Sequence, residues 1–275
     1  MFKQSKLLIP FAAVAGTSAA LVCLTKPAKA TKEQKAPFVG RNFAHRGLFS
    51  PDQFIPENSL SAFELAADSG YGIELDVRLT ADDRIVVFHD DSLERVCDVE
   101  GSIEDSTWAQ LKKLPLYESD EYIPLLSDVL NVVGGRSPII IEIKPTKRKY
   151  ELCERLMEFI RSYNGEICVQ SFDPKILSWF KKNAPDVLRG QLSQPAGDFG
   201  PDVSSVKAFA VGNLLTNFIS RPHFVSYKIG KRPPLVKLCY VLGAMKVAFT
   251  AHDPSPEGAN DAVIFEHFTP APKYK

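Results

Sequence analysis

The sequence predicts an α/β fold: a TIM-type (β/α)8 barrel with a β-hairpin excursion near the mouth and a shortened C-terminal closure, preceded by an N-terminal apolar helix. Three observations predict it. Short β-branched or aromatic runs alternate with stretches of helical spacing over about 230 of the 275 residues. The length suits one large α/β domain. Almost every apolar run ends in a polar or charged residue, as strand ends at a barrel mouth do.

The first element differs from the rest. Lys3 and Lys6 precede the uncharged run LLIPFAAVAGTSAALVCL, residues 7–24, and Lys26 and Lys29 follow it. A cationic start before an apolar run reads as a signal peptide or an N-terminal membrane anchor. Ala28-Lys29-Ala30 fits a small-x-small cleavage site, whereas the run itself is near the length of a spanning helix. The expected organisation is therefore signal or anchor over 1–30, a tether over 31–38 and one barrel domain over 39–275. The expected location is membrane-anchored with an extracytoplasmic domain, or secreted.

The strand candidates follow in order: NFAHRG (42–47), GIELDV (72–77), IVVFHD (85–90), PIIIEIK (138–144), EICVQSF (166–172), LRGQLS (188–193), HFVSYKI (223–229), KVAFTA (246–251) and AVIFE (262–266). Nine runs compete for eight staves. Only VRLTADDR separates Asp76 from Ile85, too little for a helical crossover between parallel strands. A hairpin around Ala81-Asp82-Asp83 fits, so IVVFHD pairs antiparallel near the mouth and eight staves remain. Between them, NSLSAFELAADSG sets Leu60, Phe63 and Ala67 on one helical face, with Asn58 or Ser59 as N-cap and Gly70 as the stop. YELCERLMEFIRSYN and PKILSWFKKNAP read as further amphipathic helices, and Trp179 packs on the latter. The last crossover, HDPSPEGAND, is short and rich in Pro and Gly, so the closing helix is cut down or missing.

Composition narrows the function class. The chain is 45% hydrophobic and 24% charged with zero formal net charge, which is globular and gives no sign of nucleic-acid binding. Five cysteines contain no CxxC pair, so a thiolate zinc site is unsupported and buried free thiols are expected.

The strand ends carry the chemistry. His45 and Arg46 follow the first strand, Glu74 and Asp76 lie on the second, His89 and Asp90 end the hairpin, and Glu142 and Lys144 lie on the fourth run. Glu74 and Asp76 are two apart, so their carboxylates share a side. Glu142, flanked by isoleucines, is buried and needs a cation or full hydrogen bonding. Three converging carboxylates suit a hard divalent metal, Ca2+ or Mg2+; salt bridges with Arg46, Arg78 and Lys144 are the alternative. Two imidazoles beside them suit proton transfer near neutral pH. Arg46 offers a planar fork for phosphate and Lys144 a point charge. Together these groups specify phosphodiester chemistry. Asp90 reads as a turn residue able to steer His89, Glu57 and Asn58 as the start of the first helix, and KPTKRK (144–149) as a solvated loop.

AHRG (44–47), PENSLSAF (56–63), GIELDVRLTADDRIVVFHDDSLERV (72–96), IEIK (141–144) and QSFDP (170–174) resemble, in order and spacing, the glycerophosphodiester phosphodiesterase family. The resemblance covers roughly residues 40–193. It implies a divalent metal on Glu74, Asp76 and Glu142, His45 and His89 as acid–base pair, and Arg46 and Lys144 on the phosphate. It also implies hydrolysis of a glycerophosphodiester to glycerol 3-phosphate and an alcohol. Family members often show Trp-Thr-Val-Asn on a late strand; Phe249-Thr250-Ala251-His252 stands there, so Phe249 keeps an apolar wall for substrate without an indole N–H. The chain ends in AVIFEHFTP where many members have an ITD-like end. The alternatives are a phospholipase-like lipid headgroup lyase, or an anchored protein that binds a phosphodiester without turnover. The expected partners are a small-molecule or lipid-derived phosphodiester and, through the N-terminal segment, the membrane.

Overall fold

The computed structural model describes residues 20–275. In chain order its main elements are α1 (Lys32–Lys35), β1 (Arg41–Ala44), α2 (Leu60–Asp68), β2 (Gly72–Leu79), β3 (Ile85–Val87), α3 (Glu94–Cys97), α4 (Trp108–Leu111) and α5 (Leu126–Val133). They continue with β4 (Ile139–Ile143), α6 (Lys149–Ser162), β5 (Ile167–Ser171), α7 (Pro174–Asn183), β6 (Arg189–Ser193), α8 (Ser205–Gly212), α9 (Asn217–Ser220), β7 (Phe224–Lys228), α10 (Pro234–Val241), β8 (Met245–Ala251) and β9 (Ala262–Phe265).

Eight strands close a parallel barrel in the order β1-β9-β8-β7-β6-β5-β4-β2, and β1 pairs back onto β2. β3 stands outside that ring, antiparallel on β2 with Val77 opposite Val87. The hairpin is the one that the short VRLTADDR link requires. The final crossover holds a single 3-10 turn, Glu257–Ala259, in place of a helix.

The pleat of β2 divides its residues. Ile73, Leu75 and Val77 join the layer under the helices, with Ile139, Ile141 and Ile143 of β4 and Phe63, Ala66 and Ala67 of α2. Glu74 and Asp76 take the opposite face, where Asp76 sits beside Glu142. A second apolar cluster, including Phe38, Phe43, Ile140, Cys168, Phe224 and Met245, fills the lower part of the barrel. Gly72 makes room for it, because a Cβ there would stand 2.4 Å from the Phe43 ring. The interior therefore changes from apolar at the bottom to charged at the mouth.

Ser59 caps α2, accepting from the Ala62 N–H, so the helix begins after Asn58. Cys97, Cys153, Cys168 and Cys239 are buried free thiols, as expected, and Cys23 is exposed. Trp108 packs with the hairpin cluster and Trp179 against the helical layer. Among the described residues no helix is long and apolar enough to cross a membrane. Most of the apolar run 7–24, on which the signal or anchor expectation rests, lies outside the described residues.

Candidate active site

His45 leaves β1 at the barrel mouth, and the backbone turns at once. Arg46 and Gly47 both adopt positive φ, 55° and 82°. Glycine is required at the second position, since a Cβ on Gly47 would stand 2.8 Å from Ala62. The turn aims the Arg46 N–H at Glu74 Oε2, 3.3 Å away.

Glu74, Asp76 and Glu142 are all buried, and one oxygen from each lies within 4.8 Å of the others. Lys144 enters the group from above Glu142, its Nζ 2.8 Å from both Asp76 Oδ1 and Glu142 Oε1. Gln170 donates to Glu74 Oε1 at 3.2 Å, and Ser226 Oγ fixes that amide by donating to Gln170 Oε1 at 2.7 Å. Burial, then repulsion from Asp76 and Glu142, pushes the Glu74 carboxyl well above its usual range. Burial also opposes the charge on Asp76, but Lys144, His89 and Arg46 outweigh it and hold that carboxyl well below its usual range. Lys144 and Arg46 bring two positive charges to three buried carboxylates, Arg46 being shared with Glu57, so negative charge remains uncompensated and the free donor atoms are hard oxygens. That set fits a divalent cation of the Ca2+ or Mg2+ type. The salt-bridge alternative is realised in part: Arg46 and Lys144 pair with the cluster, whereas Arg78 turns away to Asp91 and to the His89 carbonyl.

His45 and His89 both line a cleft of about 260 Å³ together with Arg46, Lys144, Gln170 and Phe249. The His45 Nδ1 lies 2.6 Å from Glu266 Oε2, which leaves Nε2 on the side of Glu74 at 4.0 Å. Burial lowers the His45 pKa, against the opposing pull of Glu266. His89 Nδ1 lies 2.6 Å from Asp90 Oδ1, and Asp90 is held in turn by Arg95 Nε at 2.5 Å. Arg78 clamps the His89 carbonyl with two donors at 3.1 and 2.9 Å. Phe249 forms the apolar wall with Phe172, their rings edge to face at 6.4 Å.

The structure corrects two sequence readings and adds two residues. Glu57 and Asn58 do not begin a helix: Glu57 accepts from Arg46 and Arg95, and Asn58 donates to Asp76 at 3.1 Å. The KPTKRK stretch is paired as well as solvated, since Arg148 bonds Asp83 and Glu151, and Lys149 bonds Asp173. Glu266 and Arg95 were missed. Glu266 ends the last stave, so the strand-end rule that found Glu74 and Glu142 reaches it too. Arg95 has no comparable signal, because it enters from the excursion after β3.

Comparison with known proteins follows the same line. The sequence profile described as "Glycerophosphoryl diester phosphodiesterase family" matches residues 45–255. A glycerophosphodiester phosphodiesterase of Caldanaerobacter subterraneus is 36% identical over 162 residues, covering 55% of this chain and 65% of the relative. One from Bacillus altitudinis is 38% identical over 157 residues, covering 53% and 63%. The chain thus matches just under two thirds of the length of these two relatives. Among solved structures, a glycerophosphodiester phosphodiesterase from Thermotoga maritima aligns with a TM-score of 0.63 at 25% identity, over 82% of this chain and 93% of that one. An Oleispira antarctica phosphodiesterase in complex with the product sn-glycerol-3-phosphate aligns with a TM-score of 0.68 at 24% identity, over 84% and 94%. At these identities both structures bear on the fold.

Proposed function

The chain belongs to the glycerophosphoryl diester phosphodiesterase family, and on that premise we propose that it hydrolyses small glycerophosphodiesters to glycerol 3-phosphate and an alcohol. The observation that carries the reading is the cleft itself: two imidazoles, each held by a carboxylate, open beside a buried cluster of three carboxylates. Glu74, Asp76 and Glu142 would hold the divalent cation, Ca2+ or Mg2+, and such an ion neutralises charge on a phosphoryl oxygen when bound.

The chain's own residues do the rest. Arg46 lines the cleft, and its guanidinium, with Nε 3.6 Å from Asp76 Oδ2, brings positive charge to a phosphate oxygen. Lys144 adds positive charge on the same side. Phe249 and Phe172 exclude water along one wall. One histidine takes the proton of the attacking oxygen as its bond to phosphorus forms. The other gives a proton to the alcohol oxygen as the P–O bond breaks. Glu266 and Asp90 each hold Nδ1, so the Nε2 atom of each ring is left for the reacting oxygens.

Purified protein should hydrolyse glycerophosphocholine or glycerophosphoethanolamine in the presence of Ca2+ or Mg2+, and EDTA should abolish turnover. Full activity in both His45→Ala and His89→Ala would sink the mechanism. The N-terminal composition adds a second part: the domain is exported or anchored outside the cytoplasmic membrane. Mass spectrometry of the mature N-terminus in cell fractions tests it, and an intact N-terminus on soluble cytoplasmic protein would refute it.

A further inference from the structure

Three of the five histidines converge on one carboxylate. Glu266 Oε2 holds His45. The other oxygen, Oε1, lies 3.8 Å from His252 Nε2 and 3.7 Å from His267 Nε2. His252 follows β8 and His267 follows Glu266, so both imidazoles stand at the rim of the mouth. Their rings stack with centroids 5.9 Å apart and planes within 9°, and His267 rests on the edge of Phe49 at 5.2 Å. The proposed hydrolysis uses neither ring.

We propose that His252, His267 and Glu266 form a second metal site, for a borderline transition ion such as Zn2+, and that filling it weakens the hold of Glu266 on His45. Donor chemistry separates the two sites. Two imidazole nitrogens and one carboxylate are a zinc-type set with room for water, whereas three carboxylates select a hard ion. The rim donors are spread wider than an ion would hold them: among the described residues, only Glu74, Asp76 and Glu142 have donors all within 4.8 Å of one another. The gap closes at the surface, where side-chain rotation meets little packing. The His252 and His267 side chains are 60% and 39% exposed, against 19% for Glu266. Both nitrogens already face the same oxygen, so an ion entering between the rings meets Glu266 as its third ligand. An ion on Oε1 draws charge from the carboxylate, so Oε2 becomes a weaker acceptor for the His45 ring. The inhibitory part of the inference rests on the role given to His45 above; the binding part does not.

Two measurements test it. Calorimetry with Zn2+ alone should show a binding event in the Glu142→Gln chain, whose carboxylate cluster is disabled. That event should weaken by about tenfold or more when His252→Ala and His267→Ala are added. Equal Zn2+ affinity with and without the two histidines overturns the site. Zn2+ added to Ca2+- or Mg2+-supported turnover should inhibit the wild type, and the His252→Ala/His267→Ala chain should keep its basal rate and resist. Equal inhibition of both chains overturns the link to His45. If no glycerophosphodiester is hydrolysed at all, the functional reading fails and calorimetry still decides the site.

Discussion

Glu266 meets His45 across 221 residues of sequence, and the contact fixes which way the imidazole of the proposed site turns. An imidazole has two nitrogens, and only a partner on one of them decides which faces the substrate. Glu266→Ala removes that partner. It should lower kcat by about tenfold or more and leave KM nearly unchanged, while His45→Ala should cost about 100-fold to 10,000-fold. Glu266→Asp should recover part of the loss, and steady-state kinetics on one substrate checks all three. A variant that raised KM and spared kcat would place Glu266 in binding instead. At this scale the sequence was legible where a residue sits on a strand of strong pattern: His45, Glu74, Asp76, Glu142 and Lys144 all stand together at the mouth. It was least legible where partnership depends on closure of the ring. Nothing near His45 in sequence points to the last stave, whereas Arg95 is a local partner, five residues from Asp90, with no strand pattern to mark it.

The β2–β3 hairpin is the element that brings His89 to the mouth, and charge pairs fasten its end. Asp90 sits between His89 and Arg95, and Arg95 reaches Glu57 at 2.6 Å. Burial alone would raise the Asp90 pKa, but hydrogen bonds from His89 and Arg95 outweigh it and hold the carboxyl well below its ordinary range. A carboxyl depressed in the folded state contributes stability above its unfolded pKa of about 3.9, and the contribution is lost as pH falls through the folded value. Asp90→Asn should therefore lower Tm at pH 7 and change it less at pH 3; calorimetry at the two pH values decides, and an equal drop at both would remove the charge argument. The opposite end of the barrel depends on packing. Phe38, 3% exposed, lies over the lower apolar cluster and stacks on Phe43 at 6.2 Å. Phe38→Ala should cost about 3–5 kcal/mol in denaturant unfolding, with KM unchanged, because the cavity opens far from the cleft. The hairpin was legible because eight residues cannot carry a parallel crossover. The packing of Phe38 was not, since an aromatic after a polar stretch has no period to read.

At the scale of the whole molecule, the barrel concentrates buried negative charge at one end of an interior that is otherwise apolar. Burial and then mutual repulsion oppose charge on carboxylates in that position, Glu74 above all, and the fold offsets the cost through Lys144, Arg46, Asn58 and Gln170. A cation that binds the folded cluster and not the unfolded chain relieves the repulsion and stabilises the native state by mass action. At a concentration of about one hundred times Kd the gain is about 2.7 kcal/mol. Ca2+ or Mg2+ should therefore raise Tm of the wild type in a concentration-dependent way, and EDTA should reverse the rise. Glu142→Gln removes one ligand and its charge, so its metal-free form should unfold no more easily than the wild type while its metal-induced rise is lost. Differential scanning calorimetry over a metal series separates the two effects. If Glu142→Gln responds to the metal as the wild type does, the three carboxylates do not hold the cation, and the salt-bridge alternative accounts for their burial.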